Sequence, residues 1–246
     1  MRPVRPFSLL ASVYDAIMND IDYEHWGQFI LDVVRARGWH GGRCLDIGCG
    51  TGNSTFPFVA RGYEVVGLDA SSDMLRIARE KLPPVRFVQG SFETFELTER
   101  FDLIYSMFDS LNNLLTKEDF LASIKNIKGH LSDDGFFVFD VNTTIGLRDL
   151  WESGRAEGWS NDVYYRWEHS FDEASGLAKV EAYCENETSA FTEVHFERPY
   201  DAPELRELLG QAGFDVELLS YPDAEPAGAD AARLWVVASQ TKSATP

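Results

Sequence analysis

The residue pattern best suited to chemistry is a run of three alternate glycines. Gly48, Gly50 and Gly52 follow the apolar segment 43–47 and precede a helix-like segment. Glycine lets the backbone turn sharply and lets a ligand lie directly against it. The GxGxG spacing differs from the GxGxxG and GxxxxGK(S/T) loops that hold phosphates, and no lysine follows it. Asp46 stands just before the loop, where a carboxylate repels a pyrophosphate, so the sequence predicts a ligand with a cationic group.

A second acidic residue follows the next strand-like segment. Asp69 is the first polar residue after that segment ends at Leu68. An acid at the end of such a strand can accept hydrogen bonds from both hydroxyls of a ribose, and it excludes a 2′-phosphate. Met74, one turn into the next helix, is placed to cover one face of an adenine, and Ser91 and Phe92 are placed to meet its edge. These positions together predict a ligand that contains adenosine.

Alternating strand-like and helix-like segments position these residues. The strand-like segments are 43–47, 64–68, 85–88, 101–105 and 136–139, and the helix-like segments are 52–61, 72–82 and 117–130. This alternation is typical of a parallel sheet with helices on both faces. After a helix from Asp201 to Gly213, the segments 214–220 and 234–239 add two strands. The sequence therefore predicts an α/β fold with a Rossmann-like, mostly parallel seven-stranded sheet.

The alternation changes after the fifth strand. Residues 163–171, 177–184 and 190–198 alternate apolar and polar side chains, which is the pattern of an antiparallel sheet with one wet face. We therefore predict an antiparallel β insertion after the fifth strand. The predicted division has N-terminal helices and a ligand-binding core (1–154), a substrate-cap insertion (155–200) and a C-terminal completion of the core sheet (201–246). Four acids are assigned to the wet face of the insertion, namely Glu168, Glu181, Glu193 and Glu197.

The composition excludes several classes of protein. The chain has 246 residues, of which 44% are hydrophobic, and this content supplies a core and excludes extensive disorder. The net charge of −18 repels phosphate backbones, so nucleic acid is not expected as a partner. No apolar run reaches the roughly 20 residues of a membrane span, and the first residues show no secretory pattern. We therefore expect a cytoplasmic protein whose three cysteines are reduced.

Several motifs carry a resemblance to a known family. The segment Leu45–Ser54, together with Asp69, Met74 and Phe101–Ser106, resembles the class I S-adenosylmethionine-dependent methyltransferases. A further resemblance, to small-molecule methyltransferases that include amino-sugar N,N-dimethyltransferases, extends over nearly the whole chain. It rests on Tyr14-Asp15, Asp22–Trp26, Asp109–Leu114, Phe139–Asn142, Glu197–Tyr200 and Gln211–Phe214. No Asn-Pro-Pro-Tyr or Asp-Pro-Pro-Tyr stretch follows the fourth strand, which disfavours the amide and exocyclic-amine methyltransferases that use one.

The resemblance implies S-adenosyl-L-methionine as the cofactor and a set of residues that bind it. The three glycines would underlie its aminoacyl part, Asp46 would support the loop or reach the ammonium through water, and Asp69 would hold the ribose. The implied cofactor-binding residues are Tyr14, Asp46, Gly48, Cys49, Gly50, Gly52, Asn53, Asp69, Ala70, Met74, Gly90, Ser91, Phe92 and Met107. Many relatives carry Asp where this chain has Ser91. Since a hydroxyl still accepts from the adenine amino group, we expect weaker but retained adenine recognition.

The reaction itself requires little from the side chains. Methyl transfer from a sulfonium depends mainly on orientation and a water-poor site. We predict two catalytic residues: His195 as the base that takes the proton of the acceptor, and Tyr14 as the residue that closes the site and orients the nucleophile. A solvent-facing histidine and a packing tyrosine are the alternatives. Asp140 and Asn142 follow the fifth strand without a full ligand set, so no metal is predicted.

The predicted function is methyl transfer from S-adenosylmethionine to a small-molecule acceptor. An amine nitrogen is the candidate acceptor atom. The alternatives are an RNA or protein methyltransferase on the same fold and a non-catalytic, cofactor-binding partner subunit. The acidic charge disfavours the RNA alternative, and the intact glycine loop disfavours the non-catalytic one. Trp151, Trp159 and Trp167 are able to line an apolar pocket, although the strand spacing of Trp167 favours the core. The sequence carries no signal of oligomeric state.

Overall fold

The structure is a computed structural model that describes residues 7–152 and 154–241, without the side chains of residues 150–152. The side chain of Trp151 therefore lies outside the described part. No helix among the described residues has the length and apolar character needed to cross a membrane.

The central sheet consists of seven strands with helices before, between and after them. Its strands are β1 (Arg43–Ile47), β2 (Glu64–Asp69), β3 (Arg86–Gln89), β4 (Phe101–Ser106), β5 (Leu131–Asn142), β10 (Phe214–Leu219) and β11 (Arg233–Gln240). The helices are α1 (Ala11–Ile17), α2 (Tyr23–Arg35), α3 (Phe56–Ala60), α4 (Ser72–Lys81), α5 (Lys117–His130), α6 (Thr144–Glu152) and α7 (Ala202–Gln211). A short 3₁₀ turn at Ser110–Asn113 follows β4.

The strand order is β10-β11-β5-β4-β1-β2-β3. Strands β1 to β5 pair in parallel, whereas β11 runs antiparallel to both β5 and β10. In β1 every residue after Arg43 is buried, as expected for a strand with both faces covered. The predicted α/β class and the mostly parallel, seven-stranded sheet are confirmed. The carboxyl ends of β1, β2 and β4 lie side by side, which is where such sheets bind ligands.

Two elements differ in length from the prediction. The helix expected over 52–61 is limited to Phe56–Ala60, because the residues before it belong to the turn in which Thr55 donates a side-chain hydrogen bond to Asp46. Strand β5 begins at Leu131, well before the predicted start. Leu131 pairs with Phe101 of β4, and an irregularity in the register then separates this pair from the regular pairing of residues 136–139.

The insertion forms a separate antiparallel sheet. Its strands are β6 (Arg155–Ser160), β7 (Val163–Asp172), β8 (Leu177–Glu185) and β9 (Ala190–Glu197), paired in that order. Strand β6 was not predicted, because its sequence lacks apolar alternation. It is held by pairing along its whole length with the first part of β7 and by a hydrogen bond from Ser160 Oγ to the carbonyl of Ala16 in α1.

The assignment of Glu193 and Glu197 to the wet face of the insertion was wrong. Glu193 is only 2% exposed, and Oε2 of Glu197 is buried, whereas Val194 and Phe196 on the opposite face of β9 are 40% and 42% exposed. Strand alternation places Glu193, His195 and Glu197 on one face. That face is turned toward the N-terminal segment (residues 7–18) and the central sheet, so the polar face of β9 is its inner one.

Candidate active site

A cavity of about 660 Å³ lies between the carboxyl edge of the central sheet and the inner face of the insertion. Small-molecule sites in proteins commonly measure about 300–1,000 Å³. Its walls come from the glycine loop after β1, the ends of β2 and β3, the loop after β4, the N-terminal segment and the strands β7 to β9. One space is therefore bounded by the core on one side and by the insertion on the other.

The glycine loop forms one wall through its backbone. Gly50 has a φ of +51°, lines the cavity and would carry a Cβ into open space, with no heavy atom within 4 Å. Its N–H donates a hydrogen bond of 2.9 Å to Asp69 Oδ2. At Gly48, by contrast, a Cβ would lie 2.8 Å from the Cβ of Ser110 and 3.2 Å from the ring of Phe92. A bare backbone at Gly50 is what allows a ligand to approach the loop closely.

Asp46 supports this loop from below. It is buried, and its Oδ2 accepts hydrogen bonds from Ser54 Oγ at 2.7 Å and Thr55 Oγ1 at 2.6 Å. Burial raises the pKa of the Asp46 carboxyl to about 7, although the two hydroxyl donors lower it. Its Oδ1 has no hydrogen-bond partner among the described residues. A cationic group placed nearby would restore the ionised form of this carboxyl.

Asp69 stands at the end of β2 and lines the cavity. Oδ2 accepts from the N–H of Gly50, and Oδ1 accepts from the N–H of Ser71 at 2.7 Å. Burial raises the pKa of this carboxyl, and the backbone donors oppose the rise. Each carboxylate oxygen has a further lone pair, so the backbone bonds orient Asp69 while leaving it able to accept from a diol.

The structure brings most of the predicted residues to one wall and leaves others behind it. The predicted residues that line the cavity are Tyr14, Gly48, Gly50, Asp69, Ala70, Met74, Gly90, Ser91, Phe92 and His195. Asp46, Cys49, Gly52, Asn53 and Met107 do not line it. Cys49 and Met107 are buried in core clusters, and a Cβ on Gly52 would contact Leu82 and Ala78.

The N-terminal segment crosses the cavity and is tied to the core at both ends. At its start, the carbonyl of Phe7 accepts a hydrogen bond of 2.8 Å from Ser71 Oγ at the beginning of α4. In α1, Asp15 accepts from Thr51 and Asn53 of the glycine loop and forms an ion pair of 2.7 Å with Lys81. Asn53 therefore holds α1 in place over the loop. This role explains why it does not reach the cavity.

The insertion also holds the N-terminal segment. Glu193 on β9 accepts hydrogen bonds from the backbone N–H groups of Ser8 at 3.2 Å and Leu10 at 2.7 Å. The ring of His195 lies 4.4 Å from that of Phe7, centroid to centroid. Both nitrogens of His195 are buried without a hydrogen-bond partner among the described residues, and burial lowers the pKa of this histidine to about 4. His195 is therefore uncharged at neutral pH.

Tyr14 projects from α1 into the same cavity. Burial raises the pKa of its phenol well above the ordinary value, and the neighbouring Tyr23 and the charge of Asp109 raise it further. Tyr14 is therefore a neutral hydroxyl at physiological pH, able to donate or accept a hydrogen bond.

Sequence reasoning missed a charged cluster on the side of the cavity near β9. Asp109 lines the cavity, has a φ of +49°, and accepts a hydrogen bond of 2.6 Å from the Asn142 amide. Arg233 of β11 donates to Asp140 and lies 3.4 Å from Asp109 Oδ1, and Glu197 closes the cluster from β9. The position of Asp109 after a parallel strand was the available signal, the same one that identified Asp69. Nothing local marks Arg233, and Glu197 was assigned to the wet face of the insertion.

The structure also locates two tryptophans and one histidine of the insertion. Trp167 and His169 line the cavity, whereas Trp159 is 71% exposed. Within the described residues, no group of three or more His, Cys, Asp or Glu side chains has metal-binding geometry.

The site fits an adenosine ligand with a cationic aminoacyl arm. The bare backbone at Gly50 leaves room against the loop, and the unpartnered Oδ1 of Asp46 lies beneath the same turn. Asp69 offers a carboxylate for a ribose, and Met74, Ser91 and Phe92 surround the adjoining space as an adenine requires. These are the features that S-adenosyl-L-methionine needs.

The Asp69→Ala variant tests the ribose assignment. We expect affinity for S-adenosylhomocysteine to fall by about tenfold or more, because hydrogen bonds to a charged acceptor contribute about 1.5–3 kcal/mol each. Calorimetric titration measures this effect. Asp102→Ala is a matched control, since Asp102 also accepts from a backbone N–H, that of Arg43, at the opposite edge of the sheet. Equal affinities in both variants and the unaltered chain would refute the assignment.

The sequence is similar to known methyltransferases. Residues 44–135 match a family described as a methyltransferase domain. The chain is 30% identical over 244 residues to "Putative methyltransferase YqeM" of Bacillus subtilis, with 95% of this chain and 96% of that protein covered. It is 31% identical over 190 residues to the dTDP-3-amino-3,4,6-trideoxy-alpha-D-glucopyranose N,N-dimethyltransferase of Streptomyces venezuelae, with 76% and 74% covered.

Solved structures show the same architecture. An S-adenosylmethionine-dependent methyltransferase from Clostridium acetobutylicum superposes with a TM-score of 0.84 at 23% identity, covering 96% of this chain and 99% of that one. DesVI of Streptomyces venezuelae superposes with a TM-score of 0.78 at 25% identity, covering 94% and 98%. Both similarities extend over the central sheet and the insertion, since they cover nearly all of this chain.

Proposed function

This chain belongs to the S-adenosylmethionine-dependent methyltransferases, and from that premise we propose that it methylates an amino nitrogen of a small molecule. One observation carries the proposal. The cavity is lined by the carboxyl groups of Asp69, Asp73, Glu93, Asp109 and Glu197, whereas no Lys or Arg lines it in the described part of the chain. An acidic cavity without a basic side chain attracts a cationic acceptor and repels an anionic one.

The similarity to an amino-sugar dimethyltransferase supports the same class of acceptor. That Streptomyces venezuelae protein acts, by its name, on an amino group of a sugar carried by a nucleoside diphosphate. In this chain a diphosphate inside the cavity would meet carboxylates with no guanidinium or ammonium to pair with. We therefore expect an amine acceptor that brings no phosphate into the cavity.

The cofactor and the acceptor would bind to different parts of the cavity. Gly48, Gly50 and Asp69 would hold the aminoacyl and ribose parts of S-adenosyl-L-methionine, with Met74 and Phe92 beside adenine. Asp46, Cys49, Gly52 and Asn53 support this loop from behind rather than by direct contact. When bound, the cofactor supplies a methyl group on a cationic sulfur that a nitrogen lone pair can displace.

The remaining walls would orient the acceptor and exclude water. The N-terminal segment and the inner face of the insertion cover the cavity, and a water-poor, oriented site is what this displacement needs. Tyr14 offers a neutral hydroxyl that can position the nitrogen. His195 offers an uncharged imidazole that can accept a hydrogen bond from the amine.

The rival functions fit this geometry less well. An RNA or protein substrate would have to pass the N-terminal segment, to which Ser71, Lys81 and Glu193 are bonded. An RNA would also bring phosphates to an acidic surface. The intact glycine loop disfavours a subunit that binds the cofactor without using it.

A transfer screen tests the proposal. The purified chain is incubated with methyl-labelled S-adenosylmethionine and matched acceptors: small amines, their hydroxyl and carboxylate analogues, a free amino sugar, the same sugar on a nucleoside diphosphate, a basic peptide and an RNA. We expect label on the amines, and more on the free than on the nucleotide-linked sugar. Preferential labelling of the hydroxyl analogues, the peptide or the RNA would contradict the proposal.

A further inference from the structure

Glu197 lines the cavity in an arrangement that cofactor binding does not explain. It is the last residue of β9, and strand alternation turns its side chain to the inner face with His195. Its Oε2 is buried without a hydrogen-bond partner among the described residues. Buried acceptors in proteins are nearly always hydrogen-bonded, so an acceptor oxygen without a partner on a cavity wall indicates a ligand that donates a hydrogen bond to it.

The charges around Glu197 do not balance within the protein. Asp109 and Asp140 lie at the carboxyl ends of β4 and β5, and Arg233 is the cation that contacts both of them. With Glu197, three carboxyl groups therefore face one guanidinium. Buried charges in proteins are paired, so a cation bound beside Glu197 would compensate the excess of carboxyl groups over the single guanidinium. The side of the cavity where Asp109 and Glu197 meet is the place for that cation.

The remaining titratable groups on this wall supply no cation. Burial lowers the pKa of both His169 and His195, in the latter to about 4. Burial and the charge of Asp109 raise the pKa of Glu197 to about 8, against the lowering effects of Arg233 and an Asn142 hydrogen bond. A carboxyl group of this basicity takes a proton from an ammonium with far less cost than the His195 imidazole does.

We propose that Glu197, with Asp109 beside it, binds the amino group of the acceptor and takes the proton that this group must lose. The inference rests on the proposed function, because it presupposes an amine. An N–H bond of the ammonium breaks, its electron pair stays on nitrogen, and an O–H bond forms at Oε2, so that the carboxylate becomes a neutral acid. The nitrogen then carries the lone pair that attacks the methyl group. Glu197 releases the proton to solvent after the product leaves.

The Glu197→Gln variant keeps the size and polarity of the side chain and removes the charge. The probes are an amine labelled in the screen and its hydroxyl analogue, each titrated by calorimetry into the complex with S-adenosylhomocysteine. We expect the unaltered chain to bind the amine at least tenfold more tightly than the hydroxyl analogue, and the variant to lose this preference. Affinity for S-adenosylhomocysteine should not change. Glu181→Gln, on the exposed face of the adjacent strand β8, is the matched control.

The pH profile separates proton transfer from simple binding. In the unaltered chain, kcat/KM for the amine should rise as the pH increases toward 8, because Glu197 must be ionised to accept the proton. In Glu197→Gln, kcat/KM should fall at least tenfold, and its remaining rise should follow only the ionisation of the amine acceptor itself. A separate step near pH 8 that persists in Glu197→Gln but is lost in His195→Gln would overturn the inference in favour of His195.

The outcomes also separate the inference from the function on which it rests. If the unaltered chain shows no preference for amines in transfer or in binding, the proposed function fails and the role of Glu197 fails with it. If the unaltered chain prefers amines and Glu197→Gln keeps that preference, the function stands and the inference is overturned.

Discussion

We expect the Gly50→Val variant to lose measurable affinity for S-adenosylhomocysteine while it still folds. The position has a φ of +51°, lines the cavity and leaves a Cβ in open space, so the isopropyl group would occupy the ligand volume. A β-branched residue at positive φ adds backbone strain of about 1–3 kcal/mol. Calorimetric titration and a thermal melt measure the two effects separately, and the expected melting temperature is only a few degrees lower.

Gly62→Val is the matched control for this experiment. Gly62 has a φ of +84°, also leaves a Cβ in open space, and lies in the exposed turn between α3 and β2, away from the cavity. It should therefore show a similar loss of stability and normal binding of S-adenosylhomocysteine. Normal binding in Gly50→Val would mean that the cofactor lies elsewhere. Equal loss of binding in both variants would mean that strain, not occupation of the site, is the cause.

The sequence predicted the part of the site that depends on local chain geometry. Gly50 and Asp69 stand at the ends of two consecutive parallel strands, and such ends meet at one edge of a sheet. Their mutual hydrogen bond therefore follows from an order of strands that the alternation already implied. Asp109 occupies the equivalent place after β4, and the same reasoning extends to it.

The sequence did not predict what distant segments decide. An acidic residue in a strand of alternating apolar and polar residues is expected to face solvent. Glu193 is buried instead, because its hydrogen-bond partners are the backbone N–H groups of Ser8 and Leu10, far away in sequence. Arg233 likewise meets Asp140 only because β11 inserts beside β5. Strand β6 has no pattern of its own and depends on β7. Contacts of this kind have no periodic signal in the chain.

The wrong assignment of Glu193 leads to the second large effect. Its carboxylate is the link between the insertion and the N-terminal segment, because both of its oxygens accept backbone N–H groups. Without it, the buried N–H of Leu10 would lose its acceptor, at a cost of about 1–3 kcal/mol. The N-terminal segment to which Leu10 belongs covers the cavity and carries Tyr14. Cofactor residues on the central sheet do not depend on this link.

The Glu193→Ala variant should therefore separate catalysis from cofactor binding. Detachment of the N-terminal segment at a cost of about 2 kcal/mol corresponds to a roughly 30-fold loss of kcat/KM, since about 1.4 kcal/mol is a factor of ten. We expect that loss for the amine acceptor, a smaller change in affinity for S-adenosylhomocysteine, and faster hydrogen exchange at the amides of Ser8 and Leu10. Glu168→Ala, on the exposed face of the same sheet, should change none of these quantities. If hydrogen exchange at both amides stays slow while kcat/KM is lost in full, Glu193 takes part in the chemistry itself. If exchange becomes fast while activity is retained, the segment is not needed to exclude water from the reacting atoms.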